Sequence, residues 1–319
     1  MKTSTSKRLR WNIAIWLAAG LFMTGAAGMA AGPIMPDPKA EARHQPQIEE
    51  TANGIPLVNI TAPSSGGVSR NEYETFNVPD KGAILNNSYT LSKTELAGYV
   101  QGNNNMAERP AKIIVNEVTG AGSTSMDGFL EVAGNRADVV IANPNGITVN
   151  GGGFINTGKA FLTTGKPVYD GEDHLQRFDI TGGDILIEGK GLGGKETGSL
   201  AILSRAVKIN AGIWAKDLHI TTGANTVDAK TLEASAIEGK GGHPAFALDT
   251  AAIGGMYAGR ITLVGTEKGL GVNNSGTWSA EDNLTLDWNG DLKNSGTIYS
   301  KGNTDLRASH LENDKTIAA

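Results

Sequence analysis

Glu131-Val132-Ala133-Gly134-Asn135-Arg136-Ala137-Asp138 runs into Val139-Val140-Ile141-Ala142, then Asn143-Pro144-Asn145-Gly146-Ile147, then Gly151-Gly152-Gly153-Phe154-Ile155-Asn156. The order reads as strand, hard corner, strand. Val139, Val140, Ile141, Ile147 and Val149 are β-branched and suit pleated backbone, while Asn143-Pro144 and Asn145-Gly146 are strong turn dipeptides. Pro144 removes a ladder donor and Gly146 admits positive φ, so covalent chemistry as well as packing shapes the corner. On these residues alone the conclusion is a tight turn between two buried strands.

Outward from this corner the pattern repeats. Residues 155–162, Ile185-Leu186-Ile187, Leu200-Ala201-Ile202-Leu203, Val207-Lys208-Ile209, Leu218-His219-Ile220, Ile261-Thr262-Leu263-Val264 and Leu284-Thr285-Leu286-Asp287-Trp288 are short apolar or alternating runs bounded by Gly, Asn, Asp or Thr. Such strands with frequent turns mean a sandwich, a barrel or a solenoid. Internal repetition chooses among them. Asn274-Ser275-Gly276-Thr277 recurs as Asn294-Ser295-Gly296-Thr297, and at the same offset Val272 meets Leu292, Trp278 meets Ile298, Asn283 meets Asn303 and Leu286 meets Leu306. A looser copy follows at Leu311-Glu312-Asn313-Asp314-Lys315-Thr316-Ile317, and Asn210-Ala211-Gly212-Ile213-Trp214-Ala215 resembles the first.

A period of about twenty residues with Asn and Gly corners is the mark of a solenoid whose coils stack on one another. The expected fold is all-β: a right-handed parallel β-helix with an N-terminal β cap and small extra-helical β hairpins. About ten coils at roughly 4.8 Å each make a rod on the order of 50 Å long. Residues 51–91 are expected to cap its first edge. The repeat stops at Ala319 in mid-pattern, which predicts a truncated longer rod or a frayed C-terminal end.

Composition agrees with an elongated β chain. The 319 residues include 43 Gly, with 6% aromatic and 19% charged side chains, and lack helical periodicity. Net charge is −5 and no basic cluster follows the first residues, so no nucleic-acid partner is expected. There is no Cys, so stability must come from ladders and packing. Lys2, Lys7, Arg8 and Arg10 precede an uncharged apolar run over residues 11–29 and the small residues Gly28-Met29-Ala30-Ala31. This is the pattern of a secretory signal, residues 1–30, cleaved after Ala30. Pro33, Pro36, Pro38 and Pro46 among charges predict a flexible linker over 31–50.

Several segments carry a resemblance to one family. Ile114-Val115-Asn116-Glu117-Val118, Leu130-Glu131-Val132-Ala133-Gly134, Ala142-Asn143-Pro144-Asn145-Gly146-Ile147 and Gly152-Gly153-Phe154-Ile155-Asn156-Thr157 resemble, in this order, the two-partner secretion domain of filamentous-haemagglutinin exoproteins. Upstream, Gly67-Val68-Ser69-Arg70-Asn71-Glu72-Tyr73 and Gly82-Ala83-Ile84-Leu85-Asn86-Asn87-Ser88 resemble it too, as does the Gly-rich stretch 254–272, particularly in the growth-inhibition branch.

The resemblance implies a secretion domain over 51–265 followed, over 266–319, by the start of haemagglutinin-type repeats. It further implies an outer-membrane two-partner transporter as partner, passage through the periplasm, and a place outside a Gram-negative cell. The exoprotein would serve adhesion or contact-dependent growth inhibition, with a host or neighbouring-cell receptor as a further partner. The expected secretion motif is Asn143, Pro144, Asn145, Gly146 and Ile147. Family members often carry an earlier Asn-Pro-Asn-Leu motif. Here Asn103, Asn104, Asn105 and Met106 stand in its place, with Asn104 for the proline and Met106 for the leucine.

The rival reading is a β-helical polysaccharide-active enzyme of the periplasm or surface, using Asp179, Asp184 and Glu188, or Asp282, Asp287 and Asp291. These carboxylates sit at corners and strand edges, where Asp commonly forms turns, and their separation is not readable from sequence. His44, His174, His219, His243 and His310 are dispersed, without ligand spacing, and His219 is expected to point outward. No Gly-Lys followed by Ser or Thr opens a helix, so no phosphate loop is expected. The reading is therefore not an enzyme, with no cofactor, metal or small-molecule substrate. Trp214, Trp278 and Trp288 suggest a sugar-stacking surface, but Trp214 and Trp278 occupy the equivalent place in the repeat, which favours core or corner packing.

Overall fold

The computed structural model describes residues 32–106 and 109–319. The expected signal, residues 1–30, and its cleavage site lie outside the described residues. Residues 33–319 form one compact unit.

That unit is a right-handed parallel β-helix with three faces, each a ladder in which a strand pairs with its counterpart one coil on. The first face stacks Pro56–Asn59, Ala83–Asn87, Phe129–Gly134, Gly152–Ile155, Leu192–Gly194, the leading halves of Gly212–Thr222 and Gly255–Gly265, Thr277–Ala280, Thr297–Ser300 and Thr316–Ala318. The second stacks Val68–Phe76, Ile113–Val118, Ala137–Ala142, Thr157–Thr163, Ser199–Ser204, the trailing halves of the same two long strands, Leu284–Trp288 and Thr304–Arg307. The third is an eight-stranded sheet from Thr124–Met126 through Ile147–Val149 to His310–Asn313.

Alternation places one set of side chains inside. Leu130, Phe154, Ile213, Met256, Trp278 and Ile298 fill the core from the first face, and Ile141, Leu162, Ile202, Ile220, Leu263 and Leu286 from the second. Where the repeat is most regular the corner is polar but buried. Asn274 Nδ2 donates to Asn294 Oδ1 at 2.8 Å, and Asn294 Nδ2 donates to Asn313 Oδ1 at 2.6 Å. One amide thus bonds the next, coil after coil, as in other stacked β structures.

Two expectations are refined. Of the linker expected over 31–50, residue 31 lies outside the described residues and residues 33–50 are ordered. Ile34–Pro36 pairs antiparallel with Val68–Phe76, and Gln47–Glu50 with Pro56–Asn59. Pro36 ends a short strand and Pro33, Pro38 and Pro46 lie outside the strands, so none removes a donor from the middle of a ladder. Burial of Ile34 and His44 then ties the segment down, so the cap begins at residue 34 rather than 51. The run 155–162 is also broken: Asn156 adopts φ 55°, turning the chain from the first face to the second.

Three insertions leave the coil path. Lys166–Tyr169 and Leu175–Ile180 form one hairpin, Asn225–Asp228 and Ala234–Ala236 another, and the two join as a four-stranded antiparallel sheet. Its Phe178, Ile180 and Val227 cover Val115, Val140, Phe161 and Leu203 on the outside of the second face. A smaller hairpin, Ser92–Thr94 with Gly98–Val100, packs Val100 against Leu57, Ile84 and Ala133 of the first face.

Candidate functional site

The Asn143 corner carries the chain from Ala137–Ala142 on the second face to Ile147–Val149 on the third. Asn143 is fully buried and Ile147 nearly so, whereas Pro144 and Asn145 are exposed. The Asn143 carbonyl accepts the Gly146 N–H at 3.1 Å, and its Oδ1 accepts the Asn145 N–H at 2.9 Å. The side chain thus closes an Asx turn inside a β-turn.

The same residue reaches both ways along the rod. Asn143 Nδ2 donates to Gly122 O and Thr124 Oγ1, both at 3.0 Å, in the preceding coil, while its backbone N–H donates to Thr163 O at 2.9 Å in the following one. Asn145 Nδ2 adds a bond to Gly120 O at 2.8 Å. Gly146 holds φ 107°, and a Cβ there would stand 3.1 Å from Asp184 O, so both backbone and space select glycine. Ile147 pairs with Thr124 and Ile185 and enters the core.

The Asn103 corner does not adjoin this one. It follows the small hairpin, on the path from the first face to the second. Its construction is nevertheless the same. Asn103 O accepts the Met106 N–H at 3.1 Å and Asn103 Oδ1 accepts the Asn105 N–H at 2.9 Å. Asn103 Nδ2 donates to Ile60 O and Asn86 O at 2.8 and 2.9 Å, its N–H donates to Ser88 O, and Asn105 Nδ2 donates to Ile60 O at 3.1 Å. Asn104 is exposed where the other corner has Pro144, and Met106 is buried where it has Gly146.

Three polar devices not anticipated from sequence hold the added elements. Glu72 and Glu117 are neighbours in parallel register, and Arg70 Nη2 lies 2.8 Å from the first and 3.4 Å from the second. His44 Nδ1 of the cap meets Glu72 at 3.0 Å, and Arg70 lies over the Tyr169 ring at 4.5 Å. Burial pushes the Glu117 carboxyl up against the pull of Arg70, and burial together with the Arg70 charge pushes the His44 imidazole down despite Glu72. Arg205 and Glu267 form a bidentate buried pair at 2.7 and 3.0 Å, with Arg205 also donating to Lys240 O at 2.7 Å. Hydrogen bonding to Arg205 holds the Glu267 carboxyl below its usual range. Glu131 accepts the N–H groups of Glu95 and Leu96 at 2.7 and 2.9 Å, fastening the small hairpin. Apart from Arg70 and Glu72, two residues apart, the partners lie tens of residues from one another, which hides the pairing from a reading along the chain.

The carboxylates weighed for catalysis are spread out. Asp179 pairs with Arg177 at 2.8 Å on the extra-helical sheet, Asp184 opens a third-face strand, and Asp287 lies outward on the second face. Among the described residues no cluster of His, Asp and Glu has a metal-holding arrangement. His219 does lie on the outward side of its strand, but it is half-buried against Thr221, 2.9 Å away, and burial pushes its pKa down to about 4.

The tryptophans separate. Trp278 and Trp288 are buried, with indole N–H groups bonded to Thr250 Oγ1 and Leu270 O. Trp214 is not the counterpart of Trp278. In the ladder Ile213 aligns with Met256 and Trp278, while Trp214 aligns with Tyr257 and Ser279. The expected equivalence was off by one residue, and a slip of one moves a side chain from core to surface.

Comparison with known proteins agrees with this architecture. A family model described as "TPS secretion domain" matches residues 33–298. "Toxin CdiA" of Yersinia pestis is 43% identical over 298 residues, covering 86% of this chain and 9% of that protein. "16S rRNA endonuclease CdiA" of Enterobacter cloacae is 44% identical over 272 residues, covering 83% of this chain and 8% of that protein. This chain therefore spans less than a tenth of the length of these relatives. Among solved structures, the filamentous hemagglutinin secretion domain superposes with a TM-score of 0.75 at 30% identity, covering 90% of this chain and all of the other. A three-faced β-helix with an antiparallel cap, joined to a family match over nearly its whole described length, places this chain in the TPS secretion domain family.

Proposed function

We propose that this domain addresses a longer exoprotein to an outer-membrane two-partner transporter, and that Asn143, Pro144, Asn145, Gly146 and Ile147 act in that recognition and in folding of the corner. Family membership implies secretion and a transporter partner; which residues carry recognition is our reading. The observation that supports it is the three-coil reach of Asn143. Its side-chain partners come from the coil before and its backbone partner from the coil after. The corner is therefore fully bonded only when the coils on both sides of it are in place, which ties its closure to coil stacking.

An unfolded, strand-forming chain is also suited to docking on a transporter's periplasmic domains by adding to an exposed sheet edge. With no Cys in the chain, no crosslink opposes threading. Coil stacking outside the cell then opposes backsliding. The whole protein's role is read as contact-dependent growth inhibition, because the relatives bear toxin and nuclease names; those activities belong to proteins of which this chain matches a small part. Residues 266–319 are read as the first haemagglutinin-type repeats, and a neighbouring-cell receptor as the exoprotein's eventual partner.

The test is secretion of residues 1–319 from a Gram-negative host with and without the cognate transporter. We expect transporter-dependent appearance in the medium, and replacement of Asn145-Gly146 by Val-Val should leave the chain in the periplasm. Undiminished export of that variant refutes a role for the corner.

A further inference from the structure

The outward column of the first face runs Phe129, Gly153, Gly193, Trp214, Tyr257, Ser279, Tyr299 through successive coils. Its aromatic rings lie down on the sheet over glycine. A Cβ at Gly212 would meet the Trp214 indole at 2.5 Å, one at Gly255 would meet the Tyr257 ring at 2.9 Å, and one at Gly153 would meet Phe129 at 2.4 Å. Covering a glycine with a ring is a known packing device in sheets, and it explains the tilt of the rings. It does not explain why they remain open to solvent: Phe129 is 42% exposed, Tyr257 39% and Tyr299 38%. With the half-buried Trp214 beside Tyr257, these rings leave apolar surface on one face of the rod, as an interaction surface does.

Trp214 and Tyr257 make the centre of it. Their rings are nearly parallel, 16° apart with centroids 6.2 Å apart. They line a groove of about 380 Å³ with Lys195, Lys216, Ser279 and Glu281. Its lining carboxylate, Glu281, pairs with Lys301, and beside the groove Arg260 pairs with Asp217 at 3.3 Å. Lys195 and Lys216, both exposed, form no ion pair among the described residues.

We propose that this face binds an acidic oligosaccharide, its sugar rings stacked on Trp214 and Tyr257 and its carboxylates met by Lys195 and Lys216. The apolar C–H face of a sugar fits a flat ring, while the rim supplies polar contacts that orient it. A shallow groove along the rod suits a chain-like ligand, and Tyr299 extends the platform two coils further, roughly 10 Å. Two exposed ammonium groups give affinity for carboxylates that salt will screen.

The test is calorimetric titration of the secreted, folded chain with uronic-acid oligomers from alginate, beside neutral cello-oligomers of matched length. We expect saturable, salt-sensitive binding of the acidic oligomer. Trp214→Ala and Tyr257→Ala should each weaken it on the order of tenfold. Lys195→Gln with Lys216→Gln, at exposed positions that leave the fold intact, should weaken the acidic oligomer and leave any neutral binding unchanged. Absence of saturable binding overturns the proposal, as does unchanged affinity in Trp214→Ala and the lysine pair, or a neutral oligomer bound as tightly as the acidic one. Self-association of the chain that is lost in Trp214→Ala, without oligosaccharide binding, assigns the face to a second copy and likewise overturns it.

Discussion

The Asn103 and Asn143 corners differ at the second and fourth of their four turn residues and sit at different vertices of the rod, yet the same bonds close both: the first asparagine's side chain accepts the third residue's N–H and donates twice to neighbouring strands. What they share is the first and third asparagine. The first closes the turn and reaches into neighbouring strands; the third adds a bond to an earlier carbonyl. What differs is exposed at the second position, Asn104 against Pro144. The comparison teaches that buried amide bonds hold these corners in the folded state, while proline acts mainly by narrowing the unfolded chain. An apparently degenerate motif can therefore keep its structure.

The strongest way to break this equivalence is to remove the shared residue. Asn143→Ala deletes four side-chain hydrogen bonds and strands Thr124 Oγ1 in the interior, which should cost about 3 kcal/mol in urea unfolding. Asn103→Ala deletes three and should cost about the same, within ~1 kcal/mol. A negligible cost at Asn103 would show that only the intact corner bears load.

The fourth position should separate the corners. Gly146→Ala places a side chain at φ 107° and against Asp184 O, for a loss of about 1 to 2 kcal/mol. Met106 has no positive φ and instead packs in the core, so Met106→Leu should be nearly neutral by the same measurement.

Neither corner contains an ionisable side chain, so acid sensitivity must arise elsewhere and be parallel in all these variants. His219 is one source: the unfolded imidazole takes up a proton near 6.5, while burial holds the folded value at about 4. Its contribution to stability is full above pH 6.5 and is lost as pH falls toward 4. His219→Gln should flatten unfolding midpoints across that window by on the order of 1 kcal/mol, allowing for its partial exposure. A variant as acid-sensitive as the parent would move the source to other groups. The smallest effect is expected from exchanging the second residues. Asn104→Pro should stabilise, and Pro144→Asn destabilise, by roughly 0.5 kcal/mol each.

Much of this architecture is legible in local sequence. The repeat from Asn274 to Asn294 announces a solenoid, and its stacked amides follow from identical residues landing on one another. The Asn143 corner is legible because Pro and Gly constrain their own backbone. The Asn103 corner is only half legible, since its closing bonds come from side chains that a turn pattern does not require. Residues 33–50 misread as a linker because proline content reports local stiffness, not whether a neighbouring strand, here Val68–Phe76, offers an edge to pair with.

The sequence by itself determined the fold class, the coil period and the position of the intact corner, because alternation, turn chemistry and repetition are local properties of the chain. Tertiary structure alone decided that Trp278 is core while Trp214 is surface, that Arg205 clasps Glu267, and that Glu131 fastens a hairpin. The physical reason is register. A one-residue difference in how coils align reverses the facing of every side chain, and which distant carboxylate meets which arginine or amide is settled only when the ladders close.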